Sequence, residues 1–267
     1  MQGKVIAVTG ASAGIGAALA ERVGRLGASV VLLARSESAL RAVAARSGEN
    51  ALPIAADVTK RADLKAAFDA ALARFGHLDV WVNNAGRGIS RAPSELTDDD
   101  IDQMMLVNFK AALYGVQTVL PHFRERKRGQ VINVSSMLGR VPLAAARAAY
   151  SASKAALNSL SASLRLELTA FPEIFVTTVS PGVVTTDFGL NALHGGVDNK
   201  QLPGAQSVDE VVDVLVRVID KPEADVYTRD GARQLVADYY AAQDMGLAEK
   251  RPPFALPASR AQGQTEH

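Results

Sequence analysis

Short, continuously apolar runs alternate along the chain with longer stretches whose apolar residues recur every three or four positions. The short runs cover residues 4–9, 29–34, 52–56, 79–83, 130–135, 175–180 and 225–228. They are rich in Val, Ile and Leu and do not alternate with polar residues, the pattern of parallel strands covered on both faces. Between the first two, Ile15, Leu19, Val23 and Leu26 trace one buried helical face, and Gly27 supplies its stop. Comparable helical patterns run over 37–46, 61–75, 98–126, 149–170 and 207–219. Thr97 is placed to cap the helix from 98, and Asp98, Asp99 and Asp100 suit the positive end of its dipole, so the acidic triplet reads as capping rather than metal binding.

Strand–helix alternation predicts βαβ units with right-handed crossovers and an α/β, doubly wound parallel sheet. Two regions depart from the pattern. Residues 189–206, with Gly195, Gly196, Pro203 and Gly204, read as a long surface loop or lid. From Arg251 the chain carries Pro252, Pro253 and Pro257 and reads as extended or disordered. The expectation is one domain over 1–250, with a substrate loop at 187–206 and a Pro-rich tail at 251–267.

Composition narrows the function classes. A chain of 267 residues fits one large domain, and one of this size buries about 70–75% of its unfolded surface. With 29 basic and 28 acidic side chains it has no broad field for coating nucleic acid or an acidic membrane. The absence of cysteine excludes disulfides, thiolate nucleophiles and Cys-ligated metal centres. His77, His122 and His194 stand alone, which favours structural or surface roles, and no metal is expected. The basic cluster from Arg124 to Arg128 ends a helix and has no aromatic platform beside it. No stretch reaches the roughly 18–20 apolar residues of a membrane span, and no signal-peptide pattern opens the chain. The expected location is the cytoplasm.

Candidate chemistry begins directly after the first strand, at Thr9-Gly10-Ala11-Ser12-Ala13-Gly14-Ile15-Gly16. Glycines there permit positive φ and let a diphosphate approach the backbone, while the following helix offers free amides and its positive dipole end. This strand–turn–helix setting favours dinucleotide binding over a plain turn. A carboxylate at the end of the second strand would select NAD by bonding the ribose. The chain has Arg35 instead, which can pair with a 2′-phosphate, so NADP is favoured over NAD, with Ser12 as a further donor. The plainer reading of Arg35 is a solvated residue at a helix start.

Farther on, Tyr150 and Lys154 lie four apart on one helical face, their Cβ atoms about 5–6 Å apart. A phenol titrates at about 10, and a neighbouring ammonium would lower that value toward proton exchange at neutral pH. Ser135 and Ser136 end the preceding strand and bring a hydroxyl to the same point, and Asn108 lies on the intervening long helix.

In this combination and order the chain resembles the short-chain dehydrogenase/reductase superfamily, in its compact single-domain branch, over residues 4–230. The pieces are Thr9–Gly16, Asp57-Val58, Asn83-Asn84-Ala85-Gly86, Asn108, Ser136, Tyr150, Lys154 and Pro181-Gly182-Val183-Val184-Thr185-Thr186. The resemblance implies a Rossmann-type sheet of seven strands in the order 3-2-1-4-5-6-7. It implies Tyr150 as the acid in carbonyl reduction and the base in alcohol oxidation, with Ser136 bonding the substrate oxygen. Lys154 would bind the nicotinamide ribose and depress the Tyr150 pKa, and Asn108 would hold a water linking Lys154 to solvent. Gly10, Ser12, Ala13, Gly14, Ile15, Gly16 and Arg35 would take the phosphates, and Asp57 and Val58 the adenine. Asn83, Ala85 and Gly86 would shape the ribose wall, and Pro181, Gly182, Val184 and Thr186 would fix the carboxamide.

The interval from Ser136 to Tyr150 is one residue longer than the family's usual one, which places the extra residue within 140–149. Trp81 stands where the family usually has a smaller aliphatic residue and reads as core packing.

The implied function is an NADP(H)-dependent oxidoreductase acting on a small-molecule carbonyl or alcohol. Phe188, Leu190, Leu193 and Leu202 suggest a medium-sized apolar substrate. The alternative is a catalytically silent NADP(H)-binding sensor or scaffold on the same fold. Small residues along 149–170 make a homodimer or homotetramer the expected assembly.

Overall fold

The computed structural model describes residues 1–254. The seven predicted strands are β1 (Val5–Thr9), β2 (Ser29–Ala34), β3 (Ala51–Ala55), β4 (Val80–Asn83), β5 (Gly129–Val134), β6 (Ile174–Ser180) and β7 (Asp225–Tyr227). They form one sheet in the order β3-β2-β1-β4-β5-β6-β7, and every pairing is parallel. Helices α1 (Gly14–Arg25), α2 (Glu37–Ala44), α3 (Arg61–Phe75), α4 (Asp98–Met105), α5 (Ala111–Arg126), α6 (Ala148–Glu167), α7 (Val208–Asp220), α8 (Ala232–Ala241) and α9 (Met245–Ala248) complete the architecture. The chain reverses its direction of travel across the sheet between β1 and β4. In an open α/β sheet that switch opens a crevice at the carboxyl ends of the strands.

Alternation along β1 divides the core. Ile6 and Val8 face Leu19, Val23, Val211 and Leu215 of α1 and α7. Val5 and Ala7 join the opposite layer with Trp81, Val116, Phe123 and Leu164. Both layers are buried, which is why the strand runs are apolar throughout rather than every second residue.

Trp81 is buried in that second layer as expected. Its indole N–H donates to Asn83 Oδ1 at 2.7 Å, and α5 makes room for the ring with Gly115. A Cβ there would lie 2.4 Å from Trp81 Nε1 and 2.5 Å from Asn83 Oδ1. Gly115→Ala is expected to destabilise the fold by about 1–3 kcal/mol through overpacking. The tryptophan fluorescence of the unfolding transition, which reports this single ring, reads the shift directly.

The pattern read as one helix over 98–126 is two helices joined by a π turn, Leu106–Lys110. Helix α6 stops at Glu167 rather than at 170. Its outward face leaves Ala155, Ser159, Ala162, Ser163 and Leu166 exposed. Helices α8 and α9 were not expected. Helix α8 packs Ala232 and Tyr239 against Met137 and Val141, beside the end of β5. Of the Pro-rich tail only 251–254 are described, and there Phe254 stacks on Tyr239 with ring centroids 5.1 Å apart; the expectation for the remainder lies outside the described residues. Among the described residues no helix is long and apolar enough to cross a membrane, and no cluster of metal-ligating side chains occurs.

Two arginines of the basic cluster are tied down. Arg126 bonds Leu78 O and Asp79, and Arg124 pairs with Glu167 at 2.5 Å.

Candidate active site

The glycine-rich turn closes on the β4 end of the sheet. Gly10 has φ 67°, and a Cβ on it would stand 2.9 Å from Ala85 Cα. Gly16 would place a Cβ 2.4 Å from Gly10 O, so both positions require glycine for close approach, and Gly10 for its positive φ as well. Thr9 and Asn84 hold the two strand ends together. Thr9 Oγ1 accepts from the Asn84 and Ala85 N–H groups at 3.0 and 3.1 Å. Asn84 Nδ2 donates to Thr9 O at 3.0 Å.

Helix α1 starts at this turn with no side-chain cap and no acid in its first turn. By contrast α4 and α7 each have a capping box. The first amides of α1 and its dipole are thus left for an anion, in a cradle that a Cβ would fill. These residues fit a dinucleotide diphosphate.

Ala13 is exposed, Ser12 and Ile15 are half-buried, and Gly14 lies against Thr186, with its missing Cβ 3.3 Å from Thr186 Cγ2. Arg35 is exposed at the end of β2. It faces Asp57 at the end of β3, whose charge it helps stabilise. Burial pushes the Asp57 carboxyl up, but hydrogen bonds from Thr59 and the charges of Lys60 and Arg35 hold it below its ordinary value. Val58 beside it is half-buried.

The reactive residues converge at the end of β5. Ser136 Oγ accepts from the Leu138 N–H at 3.1 Å, fixing the 3₁₀ turn Met137–Gly139, and the hydroxyl opposes the upward push of burial on the Tyr150 phenol. Ser135 points elsewhere, toward Lys154 O at 3.4 Å. Gly139 lets this turn sit on α6, because a Cβ there would lie 2.8 Å from Lys154 Cβ. Lys154 Nζ donates to Val134 O at 2.8 Å and stands 5.8 Å from the Tyr150 ring centroid. A Cβ on Gly86 would be 3.6 Å from the same Nζ.

In this structure burial outweighs every influence that would lower the phenol. Burial pushes Tyr150 up to about 12, opposed by Ser136 and by the charge of Arg147. Burial also draws Lys154 down to about 8.

Asn108, in the π turn, clamps the segment after β4. Its Oδ1 accepts from Arg87 N at 2.9 Å and its Nδ2 donates to Arg87 O at 3.0 Å. The same Nδ2 reaches Ser153 Oγ at 3.1 Å, and Ser153 donates to Tyr150 O at 2.7 Å. Asn83 is turned into the core, where it donates to Ala112 O and Asn133 Oδ1 at 3.2 and 2.8 Å and receives the Trp81 N–H. Its effect on the site is to hold β4, whereas Asn84, to which no role was assigned from the sequence, braces the glycine turn.

On the opposite wall, Pro181 O accepts from Met137 N at 2.8 Å. Gly182 follows it, and Val184 pairs with Gln206 across the base of the 187–206 loop. Thr186 Oγ1 accepts from Phe188 N at 3.4 Å. The loop covers the site: Phe188 meets Tyr150 edge to face with centroids 5.7 Å apart, and Leu193 bridges to Ile89. His194, with φ 61°, bonds buried Asp100 at 2.6 Å. Asp100 also accepts from Arg91 and from the Thr97 N–H, and the His194 bond holds its carboxyl well below the usual range. Capping accounts for only part of that aspartate's role, and no local sequence signal pairs residues so distant.

Residues 4–194 match the short chain dehydrogenase family. An uncharacterized oxidoreductase of Staphylococcus epidermidis is 36% identical over 217 residues, covering 80% of this chain and 91% of the relative. A short chain dehydrogenase/reductase of Burkholderia phymatum in complex with NAD superposes with TM-score 0.83 at 25% identity, covering 96% of this chain and 98% of that one. An alcohol dehydrogenase of the archaeon Thermococcus sibiricus complexed with 5-hydroxy-NADP gives TM-score 0.73 at 27% identity, over 84% and 95% of the two chains. The sheet order, the glycine turn, the gathered Ser136, Tyr150 and Lys154, and these matches agree: the chain belongs to the short-chain dehydrogenase/reductase family of oxidoreductases.

Proposed function

We propose that the chain is an NADP(H)-dependent carbonyl reductase or alcohol dehydrogenase acting on a medium-sized, largely apolar substrate. The observation that carries this reading is the meeting of the Ser136 hydroxyl, the Tyr150 phenol and the Lys154 amine at the end of β5, beside a glycine turn shaped for a diphosphate. When bound, the nicotinamide supplies or accepts the hydride.

Backbone groups of Gly10, Ser12, Ala13, Gly14, Ile15 and Gly16 would hold the diphosphate. Arg35, with the Ser12 hydroxyl, would hold the 2′-phosphate, and Asp57 and Val58 would flank the adenine. Ala85 and Gly86 would wall the adenosine ribose, Lys154 would bind the nicotinamide ribose, and Pro181, Gly182, Val184 and Thr186 would hold the carboxamide. Relatives take NAD as well as a modified NADP; the Arg35 side chain at the end of β2 inclines this chain to NADP.

In reduction, Ser136 donates a hydrogen bond to the substrate oxygen and Tyr150 delivers its proton to the developing alkoxide. A phenol held up to about 12 keeps that proton at neutral pH, which suits the acid role. Lys154, at about 8, remains mostly charged at pH 7 and stabilises the phenolate left behind. Asn108 keeps the Arg87 segment and the Tyr150 turn of α6 in register.

The test is a panel of ketones, aldehydes and secondary alcohols with purified protein and NADPH or NADP+, followed at the nicotinamide absorbance. Turnover of at least one member is expected. Tight NADPH binding with no turnover of any member would favour the silent sensor instead.

A further inference from the structure

Arg147 ends the 3₁₀ turn Ala145–Arg147 and stands immediately before α6, three residues ahead of Tyr150. Its side chain is half-buried between the loop after β4 and the 187–206 loop. Nη1 donates to Ile89 O at 3.0 Å. Two glycines flank the guanidinium: a Cβ on Gly88 would lie 3.0 Å from Nη1, and one on Gly196 would lie 3.2 Å from Nη2.

A guanidinium carries five N–H donors, and among the described residues a single carbonyl is hydrogen-bonded to this one. No carboxylate pairs with it there, in contrast to Arg91, which pairs with Asp100, and Arg140, which pairs with Asp225. Asp100 of α4 is engaged by His194 and Asp187 of the loop by Lys200, while Asp198 accepts from the Lys200 N–H. Burial draws the Arg147 pKa down, the mark of a partly desolvated cation that lacks a countercharge, and its charge is felt at Tyr150. Phe188 covers Tyr150 edge to face from the same loop, and its Cε1 would lie 3.1 Å from the Gly88 Cβ position that Arg147 Nη1 approaches to 3.0 Å, so the cation and the apolar cover stand side by side.

We propose that Arg147 is the specificity-determining anchor of the substrate site, and that the substrate is an oxo or hydroxy acid whose carboxylate takes the guanidinium donors left free by Ile89. This rests on the oxidoreductase reading above and narrows it. The planar fork of donors matches a carboxylate in bidentate fashion. Phe188, Ile89 and Leu193 would hold the apolar carbons between the carboxylate and the reacting centre.

The experiment compares 4-oxopentanoate and 5-oxohexanoate with their methyl esters, which keep the ketone and remove the charge. It uses the full chain with NADPH, as wild type, Arg147→Met and Arg147→Lys, with binding of each acid to the NADPH complex measured by calorimetry. Wild type is expected to prefer acid over ester by about 10- to 100-fold in kcat/KM, the worth of a charge-assisted bond. Arg147→Met should lose that preference, falling far more on the acid than on the ester, and Arg147→Lys should recover part of it.

Equal use of acid and ester by wild type, or an equal fall on both in Arg147→Met, would overturn the proposal and leave Arg147 a brace between Ile89 and the loop. If neither is reduced, calorimetry still decides. Acid binding lost in Arg147→Met supports the anchor while the oxidoreductase reading fails on these ketones, and acid binding absent from wild type or unchanged in the variant overturns the anchor. If Arg147→Met does not fold, the same comparison in Arg147→Lys decides: weakened acid preference or acid binding supports the proposal, and values unchanged from wild type overturn it.

Discussion

Tyr150→Phe is expected to lower kcat by about 10²–10⁴-fold, the usual worth of a positioned proton donor. The substitution removes one hydroxyl and keeps the ring, so the edge-to-face contact with Phe188 survives. Ser136 keeps its Leu138 partner and its place in the turn. NADPH affinity, measured by the fluorescence of the bound nucleotide, should therefore stay near the wild-type value while turnover collapses.

The pH dependence has a defined sign. A phenol at about 12 supplies its proton throughout the neutral range, while Lys154 loses its charge as pH rises through about 8, so reduction should slow on the alkaline side of that value. Unchanged turnover in Tyr150→Phe on a substrate that the wild type reduces would remove Tyr150 from the proposed chemistry.

Arg35→Asp should invert the nucleotide preference. Two charge-assisted bonds to a 2′-phosphate contribute about 1.5–3 kcal/mol each, so NADPH affinity is expected to fall by about 100-fold or more. The new carboxylate adds repulsion to the phosphate while offering NADH a partner for its ribose hydroxyls. The structural risk is small, because Arg35 is exposed and the cap of α2 comes from Ser36, whose Oγ accepts from Ala39 N. Asp57 should titrate higher in the variant, since Arg35 is one of the charges that hold it low. Fluorescence titration with both nucleotides is the measurement, and an equal loss for the two would sink the NADP assignment.

Much of this architecture is readable from residue type and spacing because the physics involved is local. Continuous apolar runs mark strands covered on both faces, and all seven lie within two residues of their expected ends. The glycine turn and the Tyr150–Lys154 pair are likewise short-range patterns. What escaped reading depends on partners distant in the chain. Helix α8 starts at Gly231 in a left-handed conformation with no side-chain cap and buries only Ala232 and Tyr239, so neither end nor face announces it. The contact between His194 and Asp100 spans 94 residues. Asn84 gives no sign of bracing the glycine turn until β1 and β4 are set side by side. The unmatched state of Arg147 depends on where every nearby acid goes, which no window of sequence contains.

The π turn at Leu106–Lys110 has a consequence for how independently the site and the core can change. Asp100, Met104, Asn108 and Ala112 are all buried and fall four residues apart. On a uniform α-helix each such step drifts by about 40° around the axis, or about 120° over the three. The wider turn absorbs that drift, so Asn108 still meets Arg87 and Ser153 while Gly115, farther along, still meets Trp81. Removing one residue here would give a more regular helix, but it would have to turn either the catalytic clamp or the tryptophan seat away. The irregular coil thus acts as a phase adjuster: α5 can be repacked against the sheet without rotating Asn108, and the site can be altered without unseating the core.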